Sequence, residues 1–177
     1  MNSSMIGKIE KARRYTQEPE RIRILTLAAR FHGSNDDYAL TFEEERWHCV
    51  CHSFAQFGSC AHIMAAQRLL APMLPEAGHY ERTAWALDPG SSMIGKLEKA
   101  RRYAAEPERF ALARLDATFH GSNDDHALTV RDGQWRCACS FFGQVDACAH
   151  VLAAQRLLAP MLPASARYGS VALAATT

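Results

Sequence analysis

The sequence has no apolar run that approaches the length of a membrane span. Its opening residues, Met1-Asn2-Ser3-Ser4-Met5-Ile6-Gly7-Lys8, lack the long apolar stretch of a signal peptide. Both absences lead to the expectation of a cytoplasmic protein with no membrane partner, in a reducing setting where thiolates survive. Neither sign of charge is in excess: Lys and Arg total 20, Asp and Glu 19, and the formal net charge is +1. A polycation is thereby excluded, and nucleic-acid binding would need a local basic patch. No nucleophile elbow and no phosphate-binding loop appear. The H-x-E and P-C-x-x-C signature of zinc deaminases is also missing. The expectation is a protein that is not an enzyme and takes no small-molecule substrate.

Cysteine is scarce, at six residues, and all six fall in one repeated pattern. Cys49-x-Cys51-x8-Cys60-x-His62 returns 88 positions later as Cys137-x-Cys139-x8-Cys148-x-His150. Three thiolates and one imidazole are the ligand types and count of a closed structural zinc site, so two zinc ions per chain are expected. An odd number of cysteines per copy argues against disulfides confined within each copy. A dication with three thiolates carries one negative charge, so two loaded sites would turn the formal positive charge slightly negative.

The repeat reaches well beyond the ligands. Ser3–Pro75 aligns without a gap with Ser91–Pro163, and about two thirds of the positions are identical. The expected organisation is a first module over 3–75, a linker over 76–90, a second module over 91–163 and a tail over 164–177. Segments this small seldom bury enough apolar surface to hold a fold alone, which a metal staple would remedy. Structural zinc contributes about 10–16 kcal/mol of apparent binding energy in small fingers. Tyr80, Trp85 and Leu87 predict that part of the linker packs. The tail from Ala164, small and weakly patterned, predicts fraying.

The predicted fold class is α+β: two tandem repeats, each an N-terminal helix, a three-stranded antiparallel β-meander and a C-terminal helix joined by the metal site. Ser3 and Ser4 can cap the first helix, where Met5, Ile9 and Ala12 recur at helical spacing; Ser91, Ser92, Met93, Leu97 and Ala100 repeat this. Ile22, Ile24 and Thr26 alternate along a strand leading to Phe31. A turn over His32–Asp37 leads to a second strand, Tyr38–Phe42, and a short charged turn at Glu43–Glu45 (Asp132-Gly133 in the second copy) to a third, Arg46–Cys51. A loop over His52–Ser59 precedes the helix His62–Leu70, with Pro72 beyond it. Residues two apart on a strand share a side, so Cys49 and Cys51 can face one ion with Trp47 shielding it. Cys60 and His62 cannot both face one metal from within a regular helix. Cys60 belongs just before the helix and His62 in its first turn, where free amides favour thiolate charge.

With these residues the chain resembles the SWIM zinc-finger family, whose signature is C-x-C-x(n)-C-x-H. The resemblance takes in His32-Gly33-Ser34, Tyr38-Ala39-Leu40 and Trp47-His48-Cys49, then Cys60-Ala61-His62-Ile63-Met64-Ala65. It covers Phe31–Leu70 and Phe119–Leu158, and the leading helices are similar to a flank of small bacterial SWIM-containing proteins. The family implies a β-hairpin and helix around zinc, with roles in binding DNA or proteins. Companion transposase, chromatin-remodelling ATPase or kinase modules, common beside SWIM domains, are absent from the sequence.

Other features admit two readings each. Lys8, Lys11, Arg13 and Arg14, with Lys96, Lys99, Arg101 and Arg102, can contact phosphates or form solvated helix faces tempered by Glu10 and Glu98. Asn35-Asp36-Asp37 and Asn123-Asp124-Asp125 read as turns, since the spaced oxygen ligands of a calcium loop are absent. His32 and His120 read as hairpin residues, having no neighbouring nucleophile or base. Phe54, Phe57, Phe141, Phe142 and Val145 read as small-core residues before stacking platforms. Met64, Ala65, Leu69 and Leu70 can pack on the sheet or bind a partner helix. His48 and His52 become Arg136 and Ser140 in the second copy, so neither is needed for the repeated set. The expected function is a non-catalytic tandem zinc-binding module acting as an accessory factor. Its partner is nucleic acid or another protein. Nucleic-acid binding predicts affinity that falls steeply with salt; protein binding predicts salt-tolerant association through apolar surface.

Overall fold

Alternation of apolar and polar side chains sets the strands, and the buried set of each strand selects the face that the helices cover. A computed structural model describes residues 3–78 and 91–167. In chain order the elements are α1 (Ser3–Tyr15), β1 (Ile22–His32), β2 (Asp37–Glu43), β3 (Arg46–Cys49), α2 (His52–Phe57) and α3 (Ala61–Leu70). The second repeat supplies α4 (Ser91–Ala104), β4 (Phe110–His120), β5 (Asp125–Arg131), β6 (Gln134–Cys137), α5 (Phe142–Val145) and α6 (Ala149–Leu157). The protein is thus a mixed helix and antiparallel-sheet fold, with six strands and six helices among the described residues.

The six strands form one sheet in the order β3-β2-β1-β4-β5-β6. Its middle is the antiparallel pair of β1 with β4, which joins the two meanders edge to edge. Leu27 faces Leu115, Ile22 faces Phe119 and Phe31 faces Phe110. Since Leu115 is the counterpart of Leu27, and Phe110 and Phe119 those of Ile22 and Phe31, the register is that of an isologous contact with its pseudo-two-fold axis at Leu27. Register shifts fall at Leu25 on β1 and at its counterpart Ala113 on β4. Such bulges add twist to the sheet. Leu25 is exposed there.

Helix packing crosses between the repeats as well. α1 packs on α6, and α4 packs on α3. Ala61–Gln67 are therefore buried almost all round, with the sheet on one side and α4 on the other. Met64, Ala65 and Leu70 are buried in the core and Leu69 is packed against it. Both sequence readings of this helix hold, because the partner helix is the other repeat's.

Several expectations need correction. The third strand ends at Cys49 and not at Cys51, and the predicted loop over His52–Ser59 contains α2. Six residues hold too few turns to show periodicity, and the cap is a cysteine, Cys51, whose sulfur accepts from the Phe54 amide. Ile9 is 36% exposed, while Lys8 and Lys11, placed among the polar faces, are half-buried. Phe57 and Val145 are exposed, whereas Phe142 is core. The tail does not begin at Ala164: Ala164–Ala166 form a short helical turn and Ala166 is buried. There Trp135 and Gln155 both donate to the Ala166 carbonyl, at 2.8 and 2.9 Å. Trp47 and Gln67 make the same clamp on the Gly78 carbonyl, at 2.9 and 2.8 Å. The ordered repeat thus runs three residues past Pro75 and Pro163. Tyr80, Trp85, Leu87 and residues 168–177 lie outside the described residues, as do the expected capping side chains of Ser3, Ser4, Ser91 and Ser92.

Candidate metal centres

Each four-residue set comes together at one corner of its meander. Cys49 is the last residue of β3 and points inward with Trp47. Cys51 follows the strand, its backbone extended at φ −72° and ψ 152°, and caps α2. Val50 stays on the ladder through its amide to the Ala39 carbonyl, which returns Cys51 to the side of Cys49. Cys60 is the extended residue before α3 and His62 lies in the first turn, the placement the helix geometry required. Cys148 and His150 repeat it on α6, where the Val151 amide donates to the Cys148 sulfur. Helix N-termini favour thiolate charge at these positions.

All eight ligand residues are buried, and within each set the candidate ligand atoms lie within 4.8 Å of one another. His62 Nδ1 is 3.7 Å from Cys49 Sγ, and His150 Nδ1 is 3.6 Å from Cys137 Sγ. A tetrahedral ion with sulfur at about 2.3 Å and nitrogen at about 2.0 Å places neighbouring ligand atoms roughly 3.5–3.8 Å apart. Each Cys3His set can therefore hold a metal ion, and the donor set suits zinc.

Interactions within each set also favour thiolate charge. Cys49 is lowered to about 4 by the Cys60 thiol, which donates to it, against the opposing effect of burial and with help from His62. Cys60 is pushed up in turn by that bond and by burial. In the second set Cys148 is lowered to about 4 by the Cys137 thiol, against burial and with help from His150. The charge is shared by the coupled sulfurs of each cluster.

The ligating imidazoles are boxed by rings. His62 stacks on Tyr38 at 4.5 Å and meets Phe31 at 4.5 Å; His150 stacks on His126 at 4.5 Å and meets Phe119 at 4.8 Å. A third ring comes from the opposite repeat: Tyr103 to His62 at 5.7 Å and Tyr15 to His150 at 5.9 Å. Sequence reasoning named none of these partners. Tyr15 and Tyr103 did stand at a repeated helix position, but nothing in the sequence says which repeat a helix joins.

The eight cations proposed for phosphate contact divide. Lys8 lies 4.5 Å over the Phe141 ring and Lys96 4.1 Å over Phe57, while Lys11 and Lys99 lie over Tyr15 and Tyr103. Arg13, Arg14, Arg101 and Arg102 are exposed, as is Lys99, and Arg102 shares the Tyr103 ring at 5.7 Å. A second group of cations escaped the sequence reading. Facing away from the core, the strands carry Arg23, Arg30, Arg46, Arg114, Arg131 and Arg136, interspersed with alanine and threonine. Strand alternation was the signal that would have found them. Asp116 bridges Arg114 and Arg131, which face each other across β4 and β5.

His32 and His120 each pair with the aspartate across their hairpin, Asp37 and Asp125, at 2.8 Å. The Asn-Asp-Asp segments close the turn: the Gly33 amide donates to the Asp36 carbonyl, and a Cβ on Gly33 would lie 2.6 Å from that oxygen. Among the described residues no helix is long and apolar enough to cross a membrane. No family model, curated protein or solved structure matches the chain.

Proposed function

We propose that this protein is a non-catalytic SWIM-type module, held by two structural zinc ions, that binds nucleic acid as an accessory factor. Four protein ligands in each set complete a tetrahedral shell, leaving no position for a water or substrate on the metal. The observation that carries the binding reading is the separation of the cations. Lys8, Lys11 and Lys96 are partly buried over aromatic rings, whereas exposed arginines sit on the helix ends and on the outer sheet face. Arginine forms bidentate contacts to phosphate, and flat Ala and Thr between the arginines allow close approach.

A mobility-shift series on single- and double-stranded DNA and RNA at two salt concentrations tests it. The expected result is a shift at low salt that weakens steeply as salt rises. Replacing Arg30, Arg131 and Arg136 with glutamine should flatten the salt slope by about one unit per lost phosphate contact. No shift at low salt removes the nucleic-acid reading. A protein partner is the second reading, favoured by exposed Ile6 and Ile9 on α1 and Ile94 on α4. It predicts association that survives salt.

A further inference from the structure

Lys8, Lys11 and Tyr15 are spaced three and four apart and so share one face of α1. All three meet the opposite repeat. Lys8 covers Phe141, two residues beyond the ligand Cys139. Both lysines line a cavity of about 250 Å³ together with Cys139, Cys148 and His150. Tyr15 stacks toward His150 at an interplanar angle of 26° and shares a 3.0 Å hydrogen bond with Ser122. Arg21 fixes that tyrosine from behind: its guanidinium lies 5.0 Å from the ring centre and donates to the His120 carbonyl. The counterparts repeat the tyrosine and arginine contacts, while the lysine finds a different ring. Tyr103 stacks toward His62 at 21°, Lys96 covers Phe57, and Arg109 donates to the His32 carbonyl.

We propose that each metal centre is completed in trans by the N-terminal helix of the other repeat. Tyr15 and Tyr103 are positioning residues for the imidazoles of His150 and His62, and Lys8 and Lys11 balance the charge of the centre at Cys137–His150. This rests on reading the two sets as metal sites. A buried tetrahedral ion with three thiolates carries one net negative charge, which low-dielectric surroundings penalise unless a cation is near. The cavity supplies two lysines against one carboxylate, Asp124, a surplus of one positive charge. Outer partners that orient a ligating histidine influence metal retention even though they never touch the ion. By linkage, metal in one set then favours docking of the other repeat's helix, and docking favours the metal.

The test uses the full chain loaded with zinc. Metal content is measured first, then cysteine alkylation is followed peptide by peptide by mass spectrometry in the presence of a chelator. Tyr15→Ala should expose Cys137, Cys139 and Cys148 about tenfold faster while leaving Cys49, Cys51 and Cys60 unchanged. Tyr103→Ala should do the reverse. Tyr15→Phe, which keeps the ring, should restore wild-type protection, and Lys8→Gln with Lys11→Gln gives a smaller acceleration confined to the second set. Acceleration in the variant's own repeat, equal acceleration in both sets, or none in either the tyrosine or the lysine variants overturns the proposal. Wild-type chain without bound zinc fails the metal reading instead, a distinguishable result.

Discussion

On the helix-covered face, Lys8, Lys11, Tyr15 and Arg21 of the first half have Lys96, Lys99, Tyr103 and Arg109 as counterparts in the second. On the outer face, Thr26, Ala28, Arg30 and Glu43 are answered by Arg114, Asp116, Thr118 and Arg131. At these positions the halves agree where a side chain reaches across to the other half's metal centre, and they differ on the outer face, although Ala39 and Thr41 there keep their counterparts Ala127 and Thr129. Agreement marks positions tied to two constraints at once, a local helix and a distant metal centre. Divergence falls at positions that touch neither metal centre, although Thr26 and Asp116 still meet across the β1–β4 seam and Asp116 bridges Arg114 and Arg131.

The comparison is broken most severely at the ligands. Cys60→Ser or Cys148→Ser should reduce metal content from two ions to one and cost on the order of several kcal/mol. Because α4 packs on α3 and α1 on α6, thermal unfolding should show damage reaching both halves and not one alone. Next in size is the axis itself. Leu27→Ala and Leu115→Ala remove side chains that face each other in the core, and each should cost about 2–5 kcal/mol. Near-equal losses in denaturant titration would support the pseudo-symmetry, and a large inequality would speak against it.

A smaller effect separates the halves at the β2–β3 turn. Glu44 and Glu45 have φ of 50° and 61°, where the second half uses Asp132 and Gly133 at 49° and 79°. Turns of this hand favour Asp-Gly, and a side chain in the left-handed region costs about 1 kcal/mol. Glu45→Gly should therefore stabilise the chain by about that amount in chemical denaturation. The smallest expected effect arises at Asp116 of the second half, which Thr26 of the first half also contacts. Partial burial opposes ionisation of Asp116, but the Thr26 hydroxyl and the Arg131 and Arg114 guanidiniums outweigh it and hold the carboxyl below its ordinary 3.8. Its contribution is complete above that value and fades as pH falls through and below it. Asp116→Ala, which installs the residue of the first half, should flatten this part of the acid-stability profile.

Much of the architecture is legible in the chain. Strand alternation gives the meanders, Pro72 ends a helix, and the two-residue spacing of Cys60 and His62 forces the cap-and-first-turn geometry found at both centres. The interlocking is not legible. Two copies with the same edge strand and the same amphipathic helix satisfy local rules equally well whichever copy each element joins, so only tertiary contact decides. α2 escaped because six residues capped by a cysteine carry neither periodicity nor a standard start signal. Lys8 and Lys11 misled for a related reason: each ammonium lies over a ring beside the cavity of the second set, where composition alone reads a solvated face.

Two closed metal centres would hold one interlocked fold. Elemental analysis of the purified chain, followed by far-ultraviolet circular dichroism before and after chelation, tests it most directly. Two zinc ions per chain, and loss of both helix and sheet signal on their removal, are expected. An unchanged spectrum after verified removal of the metal would contradict it.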